Sequence, residues 1–189
     1  MKIGIFGGSF DPFSLGHLEI VSVAAKKLDK VFIVPTICDY YRKEKHPFFT
    51  FKQKCAIITT ILMKYNVKGD ISIDTVEEDK DSKWRTINTV EYFKKKFPND
   101  ELYLIIGQDS YESFKTWFRF DDLFNLTTLM VVPRSEEGVQ EIKGLPCETL
   151  DIGTKFINIS ATKIREKLSE EAMDNLLSDL EWYNDLIGD

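Results

Sequence analysis

The sequence predicts an α/β fold: one domain built on a parallel sheet with helices on both faces. Three observations carry this. Short apolar runs alternate with amphipathic stretches along the chain, the pattern of repeated βαβ units. The clearest runs, Val31–Val34 and Leu102–Ile106, are apolar at successive positions, as strands covered on both faces are. The length of 189 residues, with 43% hydrophobic and 30% charged, suits one soluble globular domain spanning residues 1–189.

In order, Lys2–Phe6 is a β-rich run ended by Gly7-Gly8. Leu15–Leu28 follows with apolar residues at helical spacing (Leu18, Val21, Ala25, Leu28). Val31–Val34 is a strand stopped by Pro35. Thr50 is placed to cap a helix over Phe51–Tyr65, and Gly69-Asp70 turns the chain into a strand at Ile71–Thr75. Thr86–Phe97 reads as a helix closed by Pro98, and Leu102–Ile106 as a strand ending at Gly107. Asp109–Leu126 reads as one or two short helices, then Thr127–Val132 as a strand ended by Pro133. Ser135–Pro146 is polar and glycine-containing, expected as a mobile surface loop. Glu148–Ile152 and Phe156–Ile157 are expected to form a last short strand. A helical segment is expected from Ser160 or Thr162 to Ile187. There is no repeat and no linker.

Charge and composition exclude several function classes. A net charge of −6 and a pI near 5.1 argue against a general nucleic-acid binder, which needs a basic face. No apolar run approaches the roughly 18 residues of a membrane helix. Met1–Pro12 carries no signal-peptide pattern, so a cytoplasmic location is expected. Cys38, Cys55 and Cys147 are odd in number and widely spaced, which fits reduced thiols better than disulfides or a protein-held metal. Chemistry that needs imidazole must use His17 or His46.

In open parallel sheets ligands lie beyond the carboxyl ends of the strands, where strand order reverses. That points to Gly7–His17, Gly107–Trp117 and the segment before Ser160. In Gly7–His17, paired glycines permit a sharp turn and close approach to a ligand. A helix start then offers N–H groups and a positive dipole end to phosphate. His17 would lie in that helix's first turn, able to donate to a phosphate oxygen. The stretch matches neither the P-loop nor the GxGxxG dinucleotide pattern. In Ile159–Arg165, Ser160 and Thr162 would cap a helix and offer hydroxyls, with Arg165 three residues on along the same face.

The pair of motifs, SLGH at Ser14–His17 and ISATKIR at Ile159–Arg165, resembles the nucleotidylyltransferase superfamily with its HxGH-type and ISxTxxR-type motifs. Ile105–Asp109, Trp117 and Val131–Arg134, with Thr86–Thr89 opening a helix, are similar to the middle of bacterial nicotinate mononucleotide adenylyltransferases. The resemblance covers nearly the whole chain and implies a Rossmann-like fold. It implies transfer of AMP from MgATP to nicotinate mononucleotide, releasing pyrophosphate and forming deamido-NAD. By the same resemblance His17, with Ser14 beside it, would meet the α-phosphate. Gly8, Ser9 and Phe10 would approach the nucleotide, and Ser160, Thr162 and Arg165 would hold the β- and γ-phosphates alongside Mg²⁺. Gly107 and Asp109 would line the adenosine pocket, while Thr86 and Trp117, with Arg134 and Lys45, would bind the mononucleotide. The expected partners are therefore ATP and nicotinate mononucleotide, with no nucleic acid and no membrane.

Two departures stand out. Ser14 occupies the place of the motif's first histidine; it cannot carry an imidazolium's charge but still offers a hydroxyl, as the threonine of eukaryotic relatives does. After the second strand, where the family has a Lys and then an Arg, this chain has Arg42, Lys43, Lys45 and His46, with Lys54 at the expected arginine. The alternatives are a nucleotide-binding relative without turnover, and an adenylyl- or cytidylyltransferase for another acceptor such as phosphopantetheine. Elsewhere, Trp84 and Trp182 read as packing residues, His46 and Glu77–Asp81 as solvated, and Lys94–Lys96 as an exposed last helical turn.

Overall fold

The computed structural model describes residues 1–36, 47–81, 83–134 and 138–153. Its elements are β1 (Lys2–Gly8), α1 (Leu15–Lys27), β2 (Lys30–Pro35), α2 (Phe51–Lys64), β3 (Ile71–Ile73), α3 (Thr86–Lys96), β4 (Glu101–Gly107), α4 (Gln108–Glu112), a 3-10 turn at Phe114–Thr116, α5 (Phe120–Leu126), β5 (Thr128–Val132) and β6 (Glu148–Thr149). The six strands lie in the order β3-β2-β1-β4-β5-β6, and every pairing is parallel.

Side chains that alternate along the central strands feed two cores. Ile3 and Ile5 of β1, Phe32 and Val34 of β2 and Leu104 of β4 join Ile87, Val90 and Phe93 of α3 and Leu123 of α5 on one face. Phe6, Val31, Ile33 and Ile105 join Val21 and Ala24 of α1 and Ile57, Ile58 and Ile61 of α2 on the other. The result is three layers, helix–sheet–helix, as the runs of successive apolar residues imply. Because β2 lies on one side of β1 and β4 on the other, the chain reverses direction across the sheet between these two strands. The carboxyl ends of β1 and β4, Gly8 and Gly107, border the crevice that results.

The helix starts follow local chemistry. The Thr50 hydroxyl accepts from the Gln53 N–H at 3.3 Å, and the Gln53 side-chain oxygen accepts from the Thr50 N–H at 2.8 Å. This is a reciprocal cap, satisfying two donors that the helix itself leaves unpaired. Asp109–Leu126 resolves into two short helices and an intervening 3-10 turn.

The structure corrects several expectations. The first strand does not stop at Phe6: Gly7 and Gly8 pair with Val34 and Pro35 of β2, so the glycines end the strand and the turn begins after them. The region expected as a mobile loop is tied down over its described part. Leu145 is buried and its carbonyl accepts from the Tyr111 hydroxyl at 2.5 Å, while that hydroxyl accepts from the Ile142 N–H at 3.0 Å. Among the described residues the last strand covers Glu148–Thr149 rather than reaching Ile152, with Leu150 N–H adding one further bond to the Val131 carbonyl.

Two polar residues also differ from expectation. Lys96 is not a free last-turn cation: its ammonium sits 2.9 Å from the buried Asp74 carboxylate and over the rings of Phe32, Tyr92, Phe93 and Phe97, where ring quadrupoles attract it. Glu77 is not a solvated turn residue either. It accepts from the Thr89 hydroxyl at 2.7 Å. Burial raises the Glu77 carboxyl pKa, opposed by that bond. Phe156–Ile157 and the expected helix from Ser160 or Thr162 lie outside the described residues. Among the described residues no helix is long and apolar enough to cross a membrane.

Candidate active site

Beyond the carboxyl ends of β1 and β4 lies a cavity of about 240 Å³ whose lining includes Gly8, Ser9, Phe10, His17, Gly107 and Arg134. Four separate segments meet there: the end of β1 with the turn and helix start after it, the end of β4, the end of β5 with the residue pair after it, and Ile152 beyond β6. The turn is tight at Phe10, whose φ of 41° is left-handed. Its ring folds back so that a Cβ on Gly8 would lie 2.9 Å from it. Gly8 is thus demanded by close approach, and the unusual backbone falls on the residue two places later.

The loop is held from the opposite side by Asp11. This buried carboxylate accepts from the Phe48 N–H at 2.9 Å and from the Phe49 N–H at 2.8 Å, tying the turn after β1 to the start of α2. The geometry dictates the residue type, since two adjacent backbone donors call for a short side chain with two acceptor oxygens. Asp11 also lines the cavity. The sequence does not reveal this role; its only signal is an Asp-Pro pair inside an otherwise apolar and glycine-rich loop.

Ser14 caps α1, and His17 occupies the third helical position, where a capping box normally has Glu or Gln. The Ser14 N–H donates to His17 Nδ1 at 3.0 Å, the Ser14 hydroxyl lies 3.0 Å from the same nitrogen, and the His17 N–H donates to the hydroxyl at 3.4 Å. A ring nitrogen that accepts a backbone N–H carries no proton, so the neutral ring holds its proton on Nε2. Ser14 is buried, and its hydroxyl is committed to orienting the imidazole. Three phenylalanines surround the ring: Phe10 edge-on at 5.2 Å between centroids, Phe13 at 5.4 Å and Phe6 at 6.1 Å.

Burial in this apolar collar, aided by the positive charge of Arg134, lowers the His17 pKa to about 4. The sign follows directly: the ring is neutral at neutral pH. The stabilisation that goes with the lowered pKa is complete above the ordinary imidazole range and is lost as pH falls from there toward 4. In two-dimensional ¹H–¹⁵N spectra of the ligand-free protein, His17 is expected to show the Nε2–H tautomer without titrating between about pH 8 and about 5.5. A midpoint near the ordinary imidazole value would contradict the assignment.

Arg134 points its guanidinium at Asp109, 3.1 Å away, and its N–H donates to the Gln108 side-chain oxygen at 3.1 Å. Gly107 and Arg134 therefore reach the cavity directly. Asp109, 72% exposed, reaches it only through Arg134.

A second, smaller cavity of about 120 Å³ is lined by Arg85, Thr86, Trp117, Phe118 and Leu123. It brings together the start of α3 and the chain leaving the 3-10 turn. Trp117 ends that turn with an extended backbone.

Lys54 is buried on α2 and donates to the Thr36 carbonyl at 3.3 Å, just past the end of β2. Of the other expected site residues, Arg42, Lys43, Lys45, Ser160, Thr162 and Arg165 lie outside the described residues.

The cytidylyltransferase-like family model matches residues 5–167. A probable nicotinate-nucleotide adenylyltransferase of Maridesulfovibrio salexigens is 32% identical over 161 residues, covering 81% of this chain and 72% of the relative. The nicotinate-nucleotide adenylyltransferase of Bacillus subtilis is 28% identical over 181 residues, covering 94% of this chain and 92% of the relative. In fold, the chain is similar to Plasmodium falciparum nicotinic acid mononucleotide adenylyltransferase complexed with NaAD. That match has a TM-score of 0.75 at 21% identity, covering 97% of this chain and 96% of that one.

Proposed function

The chain belongs to the cytidylyltransferase-like family, and from that premise we propose that it is a nicotinate-nucleotide adenylyltransferase of NAD biosynthesis. It acts as one domain in the cytoplasm, joining the AMP of ATP to the 5′-phosphate of nicotinate mononucleotide to give deamido-NAD and pyrophosphate. The observation that carries this reading is the convergence of Gly8, His17, Gly107 and Arg134 on one crevice, with a second cavity that pairs Thr86 with Trp117.

The reaction is an in-line substitution at the α-phosphorus. A phosphate oxygen of the mononucleotide attacks, and the bond to the oxygen bridging the α- and β-phosphates breaks. No protein nucleophile is needed; placement and charge stabilisation supply the catalysis. His17 donates from Nε2–H to an α-phosphate oxygen as negative charge builds there. The donor is held in advance by Ser14 and three phenyl rings, so no reorientation is required as the transition state forms. A neutral ring suits the role, because it keeps its Nε2 proton throughout the working pH range.

Arg134 exchanges Asp109 for a phosphate, freeing that carboxylate to accept from ribose hydroxyls. Mg²⁺ bound to the ATP phosphates would neutralise part of their charge. Ser160, Thr162 and Arg165 would hold the β- and γ-phosphates, and Lys45 would contact the mononucleotide. Thr86 and Trp117 hold the pyridine ring, the indole offering a flat face of matching shape.

The test is pyrophosphate release from MgATP with each pyridine mononucleotide and, separately, with phosphopantetheine. Release with nicotinate mononucleotide is expected. ATP binding without release would instead favour a binding protein that has lost turnover with the motif's first histidine. Release only with phosphopantetheine would favour the other acceptor class.

A further inference from the structure

We propose that Arg85 is the residue that makes the pyridine site select a carboxylic acid over an amide. The proposal rests on the mononucleotide reading above and adds to it a specificity determinant. Arg85 stands at the start of α3, lining the same cavity as Thr86 and Trp117. It is the charged group among the five residues that line it.

Three features hold Arg85 in place along that lining. The Arg85 N–H donates to the Asn88 side-chain oxygen at 3.0 Å, which holds the backbone in the extended cap geometry. Its Nη1 donates to the Trp84 carbonyl at 2.9 Å. Trp84 is itself anchored, because its indole N–H donates to Thr89 at 2.9 Å and Thr89 donates to Glu77 at 2.7 Å. The aromatic part of the lining is fixed as well. Arg119 takes a left-handed φ of 55° immediately after Trp117 and Phe118, and it pairs with Glu91 of α3 at 2.9 Å and with Asp122 of α5 at 2.6 Å. The aromatic wall and the arginine wall are therefore joined through α3.

The chemistry of this corner favours acceptors. A guanidinium carries five N–H donors and no acceptor, so several acceptors can share it. The N–H groups of Thr86 and Ile87, in the first turn of α3, have no intrahelical acceptor, and that turn holds no acidic side chain. A carboxylate on the pyridine ring presents acceptors only and matches such a surface in charge and geometry. A carboxamide must turn its NH₂ toward some of the same donors, leaving groups on both sides unpaired. Selection then comes from rejecting the amide as well as from attracting the acid.

The experiment compares kcat/KM for nicotinate and nicotinamide mononucleotides in the wild type, Arg85→Gln and Arg85→Lys. Removing a charge-assisted bond is expected to lower the acid-to-amide ratio about 30-fold in Arg85→Gln, chiefly through KM for the acid. Arg85→Lys, which keeps the charge without the planar fork, should recover much of that ratio. ATP binding by each variant, followed by calorimetry, checks that the fold is intact. A ratio unchanged in Arg85→Gln overturns the proposal, as does an equal fall for both substrates. If the wild type uses neither mononucleotide, the functional reading itself fails and this proposal falls with it, an outcome distinct from the first two.

Discussion

His17→Ala is expected to lower kcat by roughly 10²–10³-fold, the scale of losing one pre-positioned transition-state donor. The reason lies in how completely the ring is oriented. Nδ1 is occupied by Ser14, the ring plane is set by Phe6, Phe10 and Phe13, and only Nε2–H remains to act. A donor fixed in advance is lost entirely with its side chain, and water inside an apolar collar cannot take its place with the same orientation. The substitution also removes the acceptor for the Ser14 N–H, so a stability loss of about 1 kcal/mol accompanies it. Rates are therefore compared at saturating MgATP and nicotinate mononucleotide, well below the melting transition. His17→Gln, which can bring an amide N–H near the position of Nε2, should recover part of the loss. A rate for His17→Ala within a few-fold of wild type would remove His17 from the chemistry.

Asp11→Ala is expected to cost about 3 kcal/mol of folding stability, lowering Tm by about 6–12 °C for a chain of this size. Two backbone N–H groups, those of Phe48 and Phe49, lose a charged acceptor in a region where water does not readily replace it. The penalty is that of stranded donors, which exceeds the net worth of an average hydrogen bond. Asp11→Asn keeps one carbonyl oxygen and should cost about half as much. Both variants should also weaken ATP binding, because Asp11 holds the turn that carries Ser9 and Phe10 against the cavity. Thermal unfolding followed by circular dichroism is the measurement. A midpoint for Asp11→Ala within about 2 °C of wild type would show that the two bonds contribute little.

Particular residues show how far the sequence can be read. Thr50 announces the start of α2 because a cap is a contact over three residues, which a linear pattern contains. Phe6-Gly7-Gly8 misleads for the opposite reason. A glycine pair after a strand suggests a turn, yet its neighbours on β2 continue the pairing, and the left-handed residue is Phe10. Lys96 and Glu77 look solvated in the sequence because their partners, Asp74 and Thr89, lie 22 and 12 residues away. Asp11 is the same case on the side of the crevice, bridging to Phe48 and Phe49.

By itself, the order of residues determined the kind and number of the central elements and their burial on two faces. Those properties depend on periods of about two and about 3.6 residues and on caps a few positions long. Tertiary structure alone decided that His17 meets Arg134 across the end of β4, that Asp11 is an anchor, and that Arg85 shares a cavity with Trp117. These meetings depend on which strand lies beside which, and strand order is settled by the packing of whole layers, which no local pattern records.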